Sequence, residues 1–220
     1  MEKNHWQEKV YSKKLQLNIY PFQGVISFFK SKKFRKKSKI KILEIGCGAG
    51  NNLAFLAQEG FNVFGIDMSK SAISFAKKKF IQKKIKGIIK VGNIKKLDWP
   101  NNYFDYVIDR SVLTHNTNQD ISIILDEIKR ILKKNGTILS FDFFGSNTPD
   151  IKFGKRLQYN TYHKFTKGYF KLLGKTSFFN YKILKKLFNK FKIFDINQII
   201  TKNKNGKTMY EVFNLIAKKK

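Results

Sequence analysis

The sequence predicts an α/β fold: a doubly wound, mostly parallel seven-stranded sheet with helices on both faces and a β-hairpin at its carboxyl end. Three observations carry that expectation. Short apolar runs alternate with amphipathic stretches of helical length through the first two thirds of the chain, as parallel strands joined by crossover helices require. The first run leads directly into the glycine cluster Gly46, Gly48 and Gly50. The second run ends on a carboxylate, Asp67.

Met1–Lys39 is polar with scattered aromatics, among them Trp6, Tyr11, Phe28 and Phe29, and reads as one or two helices broken at Pro21. A basic cluster, Lys32–Lys39, closes this amino-terminal segment. Ile40–Ile45 is apolar and stopped by Gly46, a buried strand before a tight turn. Asn51–Gln58 sets Leu53, Leu56 and Ala57 at helical spacing, and Gly60 stands where a helix ends. Phe61–Ile66 is the second strand. Ser69 can cap the next helix, whose apolar stripe is Ile73, Ala76 and Phe80. Ile88–Val91 is a third strand, and Tyr106–Ile108, extended back to Phe104, a fourth. A helix over Gln119–Lys133 carries Ile121, Ile124, Leu125, Ile128 and Leu132 on one face and stops before Gly136. Thr137–Phe144 is the fifth strand.

The remainder follows a different pattern. Gly145–Phe179 has no clean period but is too aromatic for a free linker, and reads as a packed insertion over one end of the sheet. Asn180–Phe191 is a helix with Leu184, Leu187, Phe188 and Phe191 facing inward. Ile193–Thr201 and Met209–Ala217 are two strands joined by the polar turn Lys202–Lys207, a terminal hairpin. The organisation expected is an amino-terminal segment over 1–39 and a single domain over 40–220, with 145–179 inserted.

Composition narrows the function classes. Lys and Arg total 45 against 15 Asp and Glu, a formal net charge of +30. Only Arg35, Arg110, Arg130 and Arg156 are arginines, which favours a lysine-covered solvated shell over a dedicated nucleic-acid surface. Arginine is the residue suited to bidentate phosphate and base recognition, whereas lysine is a hydrated point charge. With 42% hydrophobic residues and 22 Phe, the chain can bury a sizeable core, which excludes a disordered basic tail. A single Cys excludes an intramolecular disulfide, and the first residues contain no signal-like apolar run. The location expected is cytoplasmic. No apolar run approaches the roughly 18–20 residues that span a bilayer. Three scattered His and one Cys, without H-x-x-x-H or C-x-x-C spacing, argue against a metal site.

The informative stretch is Glu44-Ile45-Gly46-Cys47-Gly48-Ala49-Gly50, between the first strand and the first crossover helix. Glycines let the backbone turn sharply there and let a ligand approach without Cβ atoms in the way. Asp67 follows Gly46 by 21 positions, at a strand end where a carboxylate can accept both hydroxyls of a ribose. Together they describe a site for an adenosine-containing ligand. The spacing G-x-G-x-G departs from the dinucleotide pattern G-x-G-x-x-G/A, and no Gly-Lys-Ser/Thr follows to make a P-loop. Glu44 would repel a pyrophosphate and suits a cationic ligand. S-adenosylmethionine, with a sulfonium, an ammonium and one carboxylate, fits that balance.

On these residues the sequence resembles the class I S-adenosylmethionine-dependent methyltransferases, the small-molecule branch most closely, over about Ile40 to Phe144. Leu43–Gly50 is similar to the family's E-x-G-x-G-x-G turn, and Gly65–Ser69 to its second motif. Gly92-Asn93-Ile94 stands for Gly-Asp-Ala, with Asn93 replacing the acid. Leu97–Asp105, Asp109–His115 and Leu132–Gly136 follow further motifs of the family, with Asn135 in place of a proline. The resemblance implies a Rossmann-like methyltransferase fold with S-adenosylmethionine as cofactor. It implies cofactor contacts from Glu44, Gly46, Cys47, Gly48, Gly50, Asp67, Met68, Asn93, Ile94 and Asp109. Asp67 would hold the ribose, Met68 would wall the adenine, and Asn93 would meet its amino group. The segment over 1–39 would fold over the cofactor as a lid, with Tyr11 reaching the methionine carboxylate, and 145–179 would line the substrate side.

The acceptor implied is a small molecule with an oxygen or nitrogen nucleophile, anionic if the lysines near the mouth serve it. A hydroxyl acceptor would call for a base, for which His163 and His115 are the candidates. Two other readings remain. One is an RNA or other nucleic-acid methyltransferase using its lysines to hold phosphates, although the N-P-P-Y-like motif is absent at Asp109–Val112. The other is a non-catalytic basic binding protein on the same scaffold.

Overall fold

The structure, a computed structural model, describes residues 10–13 and 19–220. His5 and Trp6 lie outside the described residues, as does much of the expected lid segment. The doubly wound, mostly parallel sheet is present. Its strands are β1 (Lys41–Ile45), β2 (Asn62–Asp67), β3 (Ile88–Val91), β4 (Phe104–Arg110) and β5 (Leu132–Phe144). Three short strands follow, β6 (Lys155–Gln158), β7 (Thr161–His163) and β8 (Thr176–Ser177), then β9 (Phe191–Lys202) and β10 (Thr208–Lys219). The seven-stranded sheet has the order β3-β2-β1-β4-β5-β10-β9, and β6-β7-β8 form a separate sheet. The helices are α1 (Gln23–Lys30), α2 (Asn51–Gln58), α3 (Lys70–Gln82), α4 (Asn118–Ile131) and α5 (Tyr181–Leu187).

The chain divides into two compact units, Met1–Ile108 with Ile131–Gly136 and Asp109–Arg130 with Thr137–Lys220. In the first, β1 pairs in parallel with β2, Glu44 opposite Gly65, and β2 pairs in parallel with β3. Ile42, Leu43 and Ile45 of β1 and Val63 and Ile66 of β2 are almost fully buried, with Leu53 and Leu56 of α2 beside them in the core. Each such side chain contributes roughly 1.5–3 kcal/mol by leaving water. Ser69 does cap α3, its hydroxyl accepting the Ala72 N–H at 3.1 Å. Gly60 does end α2, at φ 87° with its N–H on the Ala57 carbonyl at 3.0 Å.

In the second unit β10 runs antiparallel to both β5 and β9, so the expected hairpin is there, longer at both ends. Phe143 packs edge-on against Phe179 (4.9 Å between ring centres) and Phe188 (6.0 Å). Phe144, Phe165, Phe170, Phe178 and Val212 form a further buried cluster, so the insertion is indeed packed.

The largest differences from expectation lie in α4, α5 and the segment between β5 and α5. α4 stops at Ile131, and the residues read as a turn, Leu132–Gly136, begin β5. Leu132 is fully buried there, while Asn135 takes a left-handed φ of 62°, which kinks the chain without a proline. α5 is shorter than Asn180–Phe191: the Asn180 side chain caps it, accepting the Ile183 N–H at 3.0 Å, and Phe191 opens β9. The insertion contains the β6-β7-β8 sheet, whose strands are too short to show a period in sequence.

Candidate active site

The turn after β1 is built by positive backbone angles. Gly46, Gly48 and Gly50 have φ of 59°, 52° and 72°, where an L side chain would cost roughly 1–2 kcal/mol per residue. Asp67, at the carboxyl end of β2, holds this turn and its own. One carboxylate oxygen accepts the Gly48 N–H at 2.9 Å and the other the Ser69 N–H at 2.8 Å. The side chain is 7% exposed. Burial raises its pKa, and the hydrogen bonds from the Ser69, Gly48 and Met68 N–H groups oppose the rise. A carboxylate offers about four acceptor sites, so Asp67 can take a further donor beside these N–H groups.

Cys47 hangs its backbone on β2, its N–H donating to the Ile66 carbonyl at 3.1 Å. Its thiol is buried, and burial, with the charges of Asp67 and Glu44, pushes its pKa well above the usual range. It is a neutral packing group, since the reactive form of cysteine is the thiolate.

Glu44, 3% exposed, accepts a 2.6 Å hydrogen bond from the Asn52 side-chain amide on α2. The Asn52 carbonyl oxygen in turn accepts the Phe22 N–H at 2.7 Å. Lys79 of α3 hydrogen-bonds Asn51, and burial lowers its pKa against the pull of Glu44. Tyr11 comes to the same turn: its hydroxyl occupies the position a Cβ on Gly48 would take. The structure thus brings Tyr11, Glu44, the three glycines and Asp67 together. Met68 beside them is 53% exposed. Gly92 follows β3 with its N–H on the Asp67 carbonyl at 2.9 Å, and Asn93 uses its amide oxygen to accept the Lys95 N–H at 3.0 Å. Ile94 is half-buried in that turn.

Asp109, His115 and His163 belong to the second unit. Asp109 is 1% exposed, and both its oxygens have protein donors. One accepts the Ser140 hydroxyl at 2.5 Å, the other the N–H groups of Val112 (3.0 Å) and Leu113 (3.2 Å). Its visible role is to shape the turn after β4. Burial raises its pKa to about 6, although Ser140, Leu113 and Val112 pull it down. His115 Nδ1 lies 3.0 Å from the Lys175 carbonyl oxygen. A carbonyl only accepts, so Nδ1 is the donor in this contact. His163 sits on β7 opposite Lys155.

Sequence reasoning missed Asn52 and Ser140. A polar residue among the apolar positions of α2 was the available signal for the first; nothing marked the second.

Residues 36–216 match a family model described as a methyltransferase domain. The chain is 32% identical over 115 residues to phosphoethanolamine N-methyltransferase 3 of Arabidopsis thaliana, covering 51% of this chain and 23% of that protein. It is 34% identical over 118 residues to the ubiquinone biosynthesis O-methyltransferase of Pelagibacter ubique, covering 53% of this chain and 48% of the relative. It therefore spans less than half the length of either. Among solved structures, a protein from Methanosarcina mazei described as a SAM-dependent methyltransferase superposes with a TM-score of 0.72. That pair is 21% identical over 90% of this chain and 98% of the other, and shows a shared fold.

Proposed function

The chain belongs to the methyltransferase-domain family, and from that premise we propose that it transfers a methyl group from S-adenosylmethionine to an oxygen or nitrogen nucleophile of a small anionic molecule. The observation that carries the reading is the position of Asp67, one buried carboxylate bonded to both the glycine turn and the turn after β2. Its two oxygens set the ribose site, and the left-handed glycines keep the lip of the cradle clear of side chains.

Bound there, S-adenosylmethionine would supply an electrophilic methyl on a sulfonium. The chain's own residues do the rest. Glu44 puts negative charge under the glycine turn, the complement of a cationic ligand. Met68 and Ile94 offer apolar surface to adenine, and the Asn93 amide oxygen accepts from its amino group. Tyr11 closes over Gly48 and shields the site from water, which favours an in-line displacement. For a hydroxyl nucleophile His115, whose Nδ1 faces the Lys175 carbonyl, is the candidate base, a contribution of about 10²–10⁴-fold. His163 on β7 is the alternative base, and residues 145–179 form the acceptor side. Similarity to a phosphoethanolamine N-methyltransferase supports an acceptor that carries an anionic group.

Transfer of labelled methyl from S-adenosylmethionine across a panel of amino- and hydroxy-metabolites tests this, with calorimetry of S-adenosylhomocysteine alongside. Absence of binding by the unmodified protein would remove the proposal. A net charge of +30 keeps a nucleic-acid acceptor as the second reading, distinguished by RNA affinity that falls steeply with log salt.

A further inference from the structure

Two residues of the second unit, near the carboxyl ends of β4 and β5, take backbone angles that ordinary residues avoid. Ser111, directly after β4, has φ 59°, and Asp142, inside β5, has φ 60°. Non-glycine residues held there cost about 1–3 kcal/mol each and persist only where their surroundings enforce them. Here the surroundings are visible. The β5–β10 register shifts between Phe213 and Leu215, so that Phe141 and Asp142 share one opposing residue, Asn214, in a bulge. The Asp142 N–H donates to the Asn214 side-chain oxygen at 3.0 Å, and the Ser111 N–H donates to the Phe141 carbonyl at 2.9 Å.

The bulge aims the Asp142 carboxylate at Arg110, with Nη2 3.2 Å from Oδ2 and the two side chains 45% and 17% exposed. A half-exposed ion pair contributes only about 0–1 kcal/mol, less than the strain of two left-handed residues. The pair by itself does not account for the strain. One phenol, Tyr169, lies near this pair. Tyr169 packs its ring edge-on against Phe144 (6.0 Å) and is anchored by its N–H on Asp150 at 2.9 Å. Its hydroxyl lies in the electric field of Arg110, Asp142 and Tyr210. Tyr169 and Tyr210 are 67% and 45% exposed.

We propose that Arg110, held by Asp142 with Tyr169 nearby, is the subsite that grips a phosphate group of the acceptor. A guanidinium fork matches two phosphate oxygens, and a phenolic O–H beside it can donate to a third oxygen, which a tetrahedral phosphate has and a planar carboxylate lacks. The assignment to the acceptor rests on the methyltransferase reading; the binding of phosphate does not.

The test is calorimetric titration of the full chain with inorganic phosphate, with acetate, and separately with S-adenosylhomocysteine. Arg110→Gln lowers phosphate affinity at least about tenfold and Tyr169→Phe severalfold, the range for hydrogen bonds to charged groups, with cofactor affinity unchanged. Tyr169→Phe, at an exposed side chain, decides the matter if Arg110→Gln fails to fold. Phosphate binding equally well to both variants places it on the lysine surface and overturns the subsite. So does an unmodified protein that ignores phosphate or prefers acetate. Loss of S-adenosylhomocysteine binding alone would remove the methyltransferase reading and leave the phosphate result standing.

Discussion

The Asn52 amide donates to Glu44 at 2.6 Å while its carbonyl oxygen accepts the Phe22 N–H at 2.7 Å, so one buried side chain ties the acid of β1 to the entry of α1. Glu44 stands on β1 and Asn52 on the helix that leaves the glycine turn, so the bond also fixes the angle between strand and helix.

Asn52→Leu removes a donor from the buried Glu44 carboxylate and an acceptor from the half-buried Phe22 N–H. The expected loss is about 1–3 kcal/mol, a fall in Tm on the order of 5 °C. Thermal unfolding checks it, and an unchanged Tm would show the bridge to be incidental.

Asp67→Ala removes the proposed ribose acceptor and the partner of two turn N–H groups. Affinity for S-adenosylhomocysteine should fall at least about tenfold, with stability lower by about 1–3 kcal/mol. Asp67→Asn retains the shape and should lose less of both.

Gly48→Ala places a Cβ where the Tyr11 hydroxyl sits and asks alanine to adopt φ 52°. A destabilisation of about 1–2 kcal/mol is expected from the backbone alone. The double variant with Tyr11→Phe should recover only the part due to the clash. Full recovery would mean the backbone strain is negligible.

Asp109 makes stability depend on pH. Its folded pKa of about 6 lies above the roughly 3.9 of an unfolded aspartate, so the folded state holds the proton more tightly. This contribution is fully present below pH ~4 and is lost as pH rises to about 6, a change on the order of 2–3 kcal/mol. Urea unfolding of the wild type and Asp109→Asn at both ends of that window isolates it. The variant, neutral throughout, should gain relative to wild type as pH rises, because its amide never ionises in a buried site. A constant difference between the two proteins across the window would contradict the prediction.

Much of the fold was legible because hydrophobic period and turn residues are local. β3 and α2 fall on the residues read from the sequence, and Ser69 caps α3 as its side chain chemistry suggests. The cradle was legible for the same reason: glycines at alternate positions and a carboxylate at the next strand end are features of neighbouring residues. The end of α4, the start of β9 and the small β6-β7-β8 sheet were not, since each depends on which partner a short segment meets.

The sequence alone determined the α/β class, the glycine turn and the acid after it, because those follow from backbone sterics and periodicity. Only the tertiary structure decided that Asp109 turns inward to Ser140, that Tyr11 covers Gly48, and that a bulge sets Asp142 against Arg110. These pairs are separated by 31, 37 and 32 positions in the chain. Their contacts depend on strand register and on burial, which no local pattern encodes.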